Sequence, residues 1–344
     1  MIETSLHQSE PVTLHGRPSG RTVRSIAAHA LLTALMIITP MLVFVPAALL
    51  HCGIRNGRRA AWLAAAIAMA LVCIYVAAVP ATTADAGKLA WSYIAAVGLA
   101  IALPTMAVLP LVERGETFGR VLLFLLVGSL LGLAATELGS RAVIDFSPFA
   151  AHVAETRQSN AEIVQFYRTN GAPAEWLRLM ERWATYSTFV LPGFMLIMLA
   201  LVFVLSLLML GRLKAWRELA ATRGDHTAGV YFFRNLSLPD WMLFAFIVGG
   251  LTPLASGMLQ KLAANTLTIV AFLYILQGLA IFRFLLVAMG AGFAGTMLGW
   301  LLLAFLTLTG AAPLLLGVAG LFDSFFDFRH FKKKKDDSHE SHSD

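Results

Sequence analysis

Residues 188–211 read TFVLPGFMLIMLALVFVLSLLMLG, without one charged side chain. About 20 apolar residues in a row cross the hydrocarbon core of a bilayer. In lipid every backbone polar group must be bonded internally, which leaves helices and closed barrels as spanning structures. Barrel strands alternate in short stretches and do not run solidly apolar, so this run predicts a transmembrane helix. Composition extends the reading to the whole chain. Of 344 residues, 58% are hydrophobic and 13% charged, about half the charge of an ordinary soluble domain. The expected fold is all-α: a polytopic transmembrane helical bundle of about eight hydrophobic segments.

Six segments read as plain spans: 60–79, 89–112, 118–137, 185–211, 241–257 and 260–288. Two others are broken. Residues 26–50 carry Pro40 and Pro46, and residues 290–321 carry a series of glycines and Pro313. Each is too long for one crossing and too short for two. Charge separates the alternatives. If all eight segments cross once, the lysines and arginines divide 15 inside and 10 outside. If the two broken segments are hairpins returning to their starting side, the division is 18 and 7. The second arrangement obeys the positive-inside tendency better and puts both termini in the cytoplasm of a bacterial inner-membrane protein. The organisation expected is a polar N-terminus over 1–24, a membrane domain over 25–322 and a charged tail over 323–344. Two loops are long enough for structure of their own. The external loop, 138–184, reads as two short helices broken at TNGAP, with Trp176, Trp183 and Tyr186 as an aromatic belt. In the cytoplasmic loop, 212–240, the spacing of Ser237 and Asp240 predicts a capped helix start.

The net charge of +6 fits cationic loops of a membrane protein, so no nucleic-acid partner is expected. Cys52 and Cys73 read as small hydrophobes. There is no HExxH, GxSxG, Walker loop or CxxC motif, and the span interiors hold no carboxylate, so no catalytic set, metal site or cofactor is expected. His339 and His342 read as part of a polar tail. Polar residues within the 260–288 span carry most of the information. Tyr274 and Gln277 stand three apart on one helical face, with Gln277 read as near the bilayer midplane. Together with Asn265 they would hydrogen-bond a small polar ligand or join two helices. Arg283 would meet a ligand anion or snorkel to the interface. Asp323 and Asp327 share a helical face, and Arg329 or Arg234 would relieve their repulsion as a latch. Phe322, Phe325 and Phe326 suggest an interfacial turn ahead of Lys332–Lys335.

The stretches NTLTIVAFLYILQGLAIFRF (265–284) and LGVAGLFDSFFDFR (316–329) resemble those of the YybS-like bacterial membrane proteins. The resemblance rests on Asn265, Tyr274, Gln277, Gly278, Gly320, Asp323, Asp327, Phe328 and Arg329. That family is in turn distantly similar to the substrate-binding S components of energy-coupling-factor vitamin transporters. This implies a ligand-binding bundle with membrane partner subunits, docked through small residues of a first helix. Here Ala30 and Ala34, in AAHALLTA (27–34), have that spacing. Three functions are expected in order: a small-molecule binding or transport component of the membrane; a scaffold recruiting partners through its loops and tail; and, last, an intramembrane enzyme.

Overall fold

Two prolines shape the first apolar stretch in the computed structural model, which describes residues 20–79, 83–224 and 228–326. Helix α1 (Gly20–Ile38) stops before Pro40 because proline pushes its predecessor out of the helical region. Thr39 is accordingly extended, at φ −107° and ψ 168°. After a 3-10 turn at Pro40–Phe44, helix α2 (Val45–Asn56) places Pro46 in its first turn, where a missing N–H costs nothing. The chain doubles back on itself. Asn56 Nδ2 donates to Ser25 Oγ at 3.1 Å, and the ring nitrogens His29 Nε2 and His51 Nδ1 are 3.0 Å apart. Residues 25 and 56 are thus neighbours, with Pro40 at the tip. The 26–50 segment is a helical hairpin returning to its starting level, the arrangement the charge count favours.

Gly57, at φ +88°, reverses the chain into α3 (Arg58–Ala78). Alanine dominates this contact. Ala61, Ala64 and Ala68 of α3 are fully buried, as is Ala30 of α1, and Ala34 is nearly so. Small side chains let membrane helices approach closely. Ala30 and Ala34 therefore pack inside this chain, and the expectation that they face a partner helix is corrected: α3 fills that face.

The next span runs through α4 (Ala84–Ala96), a π-helical turn at Val97–Ala102 and α5 (Leu103–Glu113). Pro104 lacks an N–H for the carbonyl four residues back, at Ala100. Ser129 of α6 (Phe118–Ile144) repairs this, its hydroxyl lying 2.5 Å from the Ala100 carbonyl oxygen. Helix α6 runs on to Ile144, into the expected 138–184 loop; α7 (Pro148–Thr169) and α8 (Ala174–Phe189) follow, broken at TNGAP as expected. Trp176, Trp183 and Tyr186 are all exposed on α8. Helix α9 (Leu191–Arg212) returns the chain to α10 (Lys214–Ala221).

The bundle has two ends. At the α10 end, Arg58 holds Glu113 at 2.5 Å, Trp216 and Tyr231 stack with ring centroids 4.8 Å apart, and α10 packs against α2. At the other end lie α7 and α8. The remaining elements are α11 (Met242–Gly250), a 3-10 turn at Thr252–Leu254, α12 (Gly257–Ala288), α13 (Phe293–Leu308) and α14 (Ala311–Phe326).

Among the described residues, five helical stretches are long and apolar enough to cross a membrane, and a sixth counts if α13 and α14, bent by 111°, form one broken span. Five of the six expected plain spans are among these, and 26–50 is one of the two expected broken segments; the exception is 241–257. Pro253 and its neighbours break 241–257 after the nine residues of α11. The capped start expected at Ser237 is also corrected. Helix α11 begins at Met242 after Trp241, because Leu236 and Leu238 are drawn into the core and hold the preceding chain extended.

The histidine pair makes this end sensitive to pH. His51 lines a 540 Å³ cleft with Arg55, Lys214 and Glu218. Burial first, then the His29 ring and the Arg55 guanidinium, push its imidazole below the ordinary value. An unfolded His51 takes up a proton near pH 6.5, while the folded one resists. Its contribution to stability is therefore complete above about pH 6.5 and lost as pH falls toward the folded value. Thermal unfolding in detergent should show a lower Tm at pH 5.5 than at pH 7.5, and His51→Asn should flatten the difference. A His51→Asn profile as steep as that of the native protein refutes this.

Candidate functional site

Gln277 is a buried polar side chain bonded at both ends of its amide. It is 1% exposed. Its Oε1 accepts a hydrogen bond from the Leu238 backbone N–H at 2.9 Å, and its Nε2 donates to Asp323 Oδ2 at 3.0 Å. One amide thus ties three elements: the connector after α10, helix α12 and helix α14. Gly278 and Gly320 make the joint possible. A Cβ on Gly320 would overlap the Tyr274 carbonyl oxygen, and one on Gly278 would overlap that of Leu316. The helices run antiparallel here, since position 278 meets 316 while position 274 meets 320. Tyr274 is buried against Phe246 in an edge-on contact at 5.7 Å. Its hydroxyl faces that of Ser324, both buried and without hydrogen-bond geometry.

The level of this joint is a correction. Leu238 bonds Gln277, and the adjoining Ser237 carbonyl abuts Gly119 in the first turn of α6. That turn neighbours the charged residues Glu116 and Arg120, which pair at 3.1 Å. From Gly257 to Gln277, α12 rises about 30 Å, a full hydrocarbon thickness. Gln277 therefore stands at the α10 end of the bundle and not at its midplane. Arg283 lies further along the same helix, half-buried and without an ion pair among the described residues. Asp323 reaches Gln277 and, among the described residues, makes no ion pair with Arg234. Phe322, Phe325 and Phe326 belong to α14 itself, not to a separate interfacial turn. Asp327, Phe328, Arg329, Lys332–Lys335, His339 and His342 lie outside the described residues.

Asn265 is elsewhere. Its Oδ1 accepts from Gly193 N–H at 2.7 Å, and its Nδ2 donates to the Phe189 and Lys261 carbonyls. This pins the start of α9 to α12 at the α7–α8 end. The four residues expected to form one ligand site are therefore split. Asn265 borders a cavity; Tyr274 and Gln277 fill a packed joint; Arg283 stands apart.

The cavity beside Asn265 measures about 1160 Å³ and is lined by α7, α8 and the first turns of α12. One face of α7 forms a wall through Phe149, Val153, Arg157, Ala161 and Val164, at helical spacing. Met258, Lys261 and Leu262 face it from α12. Arg168 and Glu181 close the hairpin with an ion pair at 2.9 Å, and Asn160 crosslinks it by donating to Ser187 Oγ at 3.0 Å. Sequence reasoning missed this groove because its walls come from distant segments. The stripe at positions 149, 153, 157, 161, 164 and 168 was the available signal.

The sequence profile of a family described as Predicted membrane protein (DUF2232) matches residues 25–324, nearly the whole chain. Neither curated proteins nor solved structures gave a match. With its profile match extending from α1 to Ser324 of α14, this chain belongs to the DUF2232 family of predicted multi-pass membrane proteins.

Proposed function

We propose that the protein is a bacterial inner-membrane component that holds a small molecule at the α7–α8 end of its bundle. The observation carrying this reading is the 1160 Å³ groove, close to the upper end of the ~300–1,000 Å³ usual for small-molecule sites. Its mixture of apolar wall and a few polar groups also matches such sites. The α10 end, with Arg55, Arg58, Arg120, Lys214 and Arg217, faces the cytoplasm in this reading because cationic connectors favour that side. The groove then faces outward. The resemblance to YybS-like proteins, and through them to S components, runs in the same direction and implies that any ATP-driven cycle needs partner subunits. Its docking-face element does not carry over, since Ala30 and Ala34 are buried within the chain.

Native mass spectrometry of the purified protein tests this. A co-purified small molecule should be present in the native protein and absent from Ala161→Trp, which fills the groove from an exposed helical position. No bound molecule in either, or equal occupancy in both, refutes the reading. The scaffold alternative draws on a different observation: Gln277 is bonded on both sides and holds the α10 connector in one position for a partner. Crosslinks gathering on that connector, with an empty groove, would favour it.

A further inference from the structure

The charges lining the groove do not balance. Four ionisable side chains face it, Arg157, Arg168, Glu181 and Lys261. Glu181 is taken by Arg168 at 2.9 Å. Arg157 and Lys261 form no ion pair among the described residues, so two cations on the groove wall are left without a counter-charge. The neutral polar groups are largely spent. Thr185 and Thr188 donate to backbone carbonyls one turn back, and Asn160 crosslinks the hairpin. Around the cations the wall is hydrocarbon: Phe149, Val153, Val164, Phe189, Met258 and Leu262. Met258 and Leu262 are 86% and 63% exposed, so the apolar side of the groove opens to the outside of the bundle.

Two cations set within an open hydrocarbon wall define the complement. The ligand has one anionic group, which charge-assisted hydrogen bonds to arginine and lysine would hold, and a long apolar chain. A compact polar solute would leave the wall wet; a neutral lipid would leave two cations uncompensated. Resting on the capture reading above, we propose that the groove takes a single-chain anionic amphiphile from the surrounding leaflet, its headgroup on Arg157 and Lys261 and its chain along the α7 and α12 wall.

The test uses the full chain in nanodiscs of phosphatidylcholine, which carries no competing net negative charge. A photoactivatable long-chain fatty acid is compared with the corresponding fatty alcohol, in the native protein, in the Arg157→Gln/Lys261→Gln double variant and in Ala161→Trp. Both cations are exposed, and an unchanged Tm verifies that the double variant is folded. The fatty acid should label α7 and α12 peptides. Labelling should fall about tenfold or more in the double variant, as expected for losing charged hydrogen-bond donors, and be lost in Ala161→Trp. The alcohol should label weakly in every form. Equal labelling by acid and alcohol, or no loss in the double variant, overturns the ligand class; if Ala161→Trp still abolishes labelling, capture in the groove stands. Displacement of the fatty acid by millimolar inorganic phosphate marks a site for free anions and also overturns the proposal. If neither probe labels the groove, the class fails. Native mass spectrometry of Ala161→Trp then decides whether the capture reading fails with it.

Discussion

Gly320→Ala should lower the unfolding temperature sharply, although the same change favours an isolated helix. Alanine exceeds glycine in helix propensity by about 1 kcal/mol, so a glycine free of contacts would be improved by the replacement. At Gly320 the new methyl group would overlap the Tyr274 carbonyl oxygen and lie 2.9 Å from the Gly278 nitrogen. Both obstacles are backbone of α12 and have no rotamer to yield. Helix α14 must then move outward, separating Asp323 from Gln277. Overpacking costs typically ~1–3 kcal/mol, and the immobile obstacle places this variant at or above the upper end. Gly317→Ala supplies the control. Its Cβ would meet only Ile275 Cγ1, at an ordinary 3.5 Å, so its stability should stay level or rise. A Gly278→Ala/Gly320→Ala pair should cost less than the sum of its parts, because the first methyl group has already parted the helices. A Gly320→Ala protein as stable as the native one in detergent melts would refute this account of the joint.

What could be read from the sequence follows from what lipid forbids. A helix in hydrocarbon must be apolar nearly all round, so 188–211 announces itself without reference to any partner. The 26–50 hairpin was legible for a related reason. Pro40 and Pro46 interrupt the helix, and the cationic RNGRR that follows has to return to the side carrying the other basic connectors. The last apolar region was harder. Its glycines are visible as breaks, but Gly320 breaks nothing: it is a contact point, and only the position of Tyr274 across from it reveals that. The segment around Ser237 misleads for a local reason. Ser237 and Asp240 fit a capping box, yet burial of Leu236 and Leu238 outweighs a cap worth about 1 kcal/mol. The groove was least legible. Arg157 and Lys261 belong to segments more than a hundred residues apart, and their shared surroundings exist only once the α7–α8 hairpin lies over the start of α12.

Gln277→Glu should damage the same joint through chemistry instead of shape, and Asp323→Asn should mend it. The glutamine amide donates to Asp323 and accepts from Leu238 N–H, at 3.0 and 2.9 Å. An ionised glutamate still accepts from Leu238 but has no proton to give, so two carboxylates face each other in a buried site. Such a pair retains one shared proton or separates. Leaving a buried polar group unpaired costs about 1–3 kcal/mol, and more for a charged one. Gln277→Glu should therefore melt well below the native protein at pH 8 and recover part of the loss at pH 5, where a shared proton restores the donor. In the double variant Gln277→Glu/Asp323→Asn, the amide introduced on α14 supplies an N–H to the new carboxylate on α12, so stability at pH 8 should return. Gln277→Leu, of similar size, should be low at both pH values, because it orphans the Leu238 N–H and takes the amide donor away from Asp323 in one step. If Glu and Leu at position 277 behave alike, and Asp323→Asn rescues neither, the amide is not what joins α12, α14 and the α10 connector. The expectation of a pH-dependent rescue separates a bonded joint from mere packing, since a void-filling role for Gln277 would respond to volume and not to the reversal of donor and acceptor.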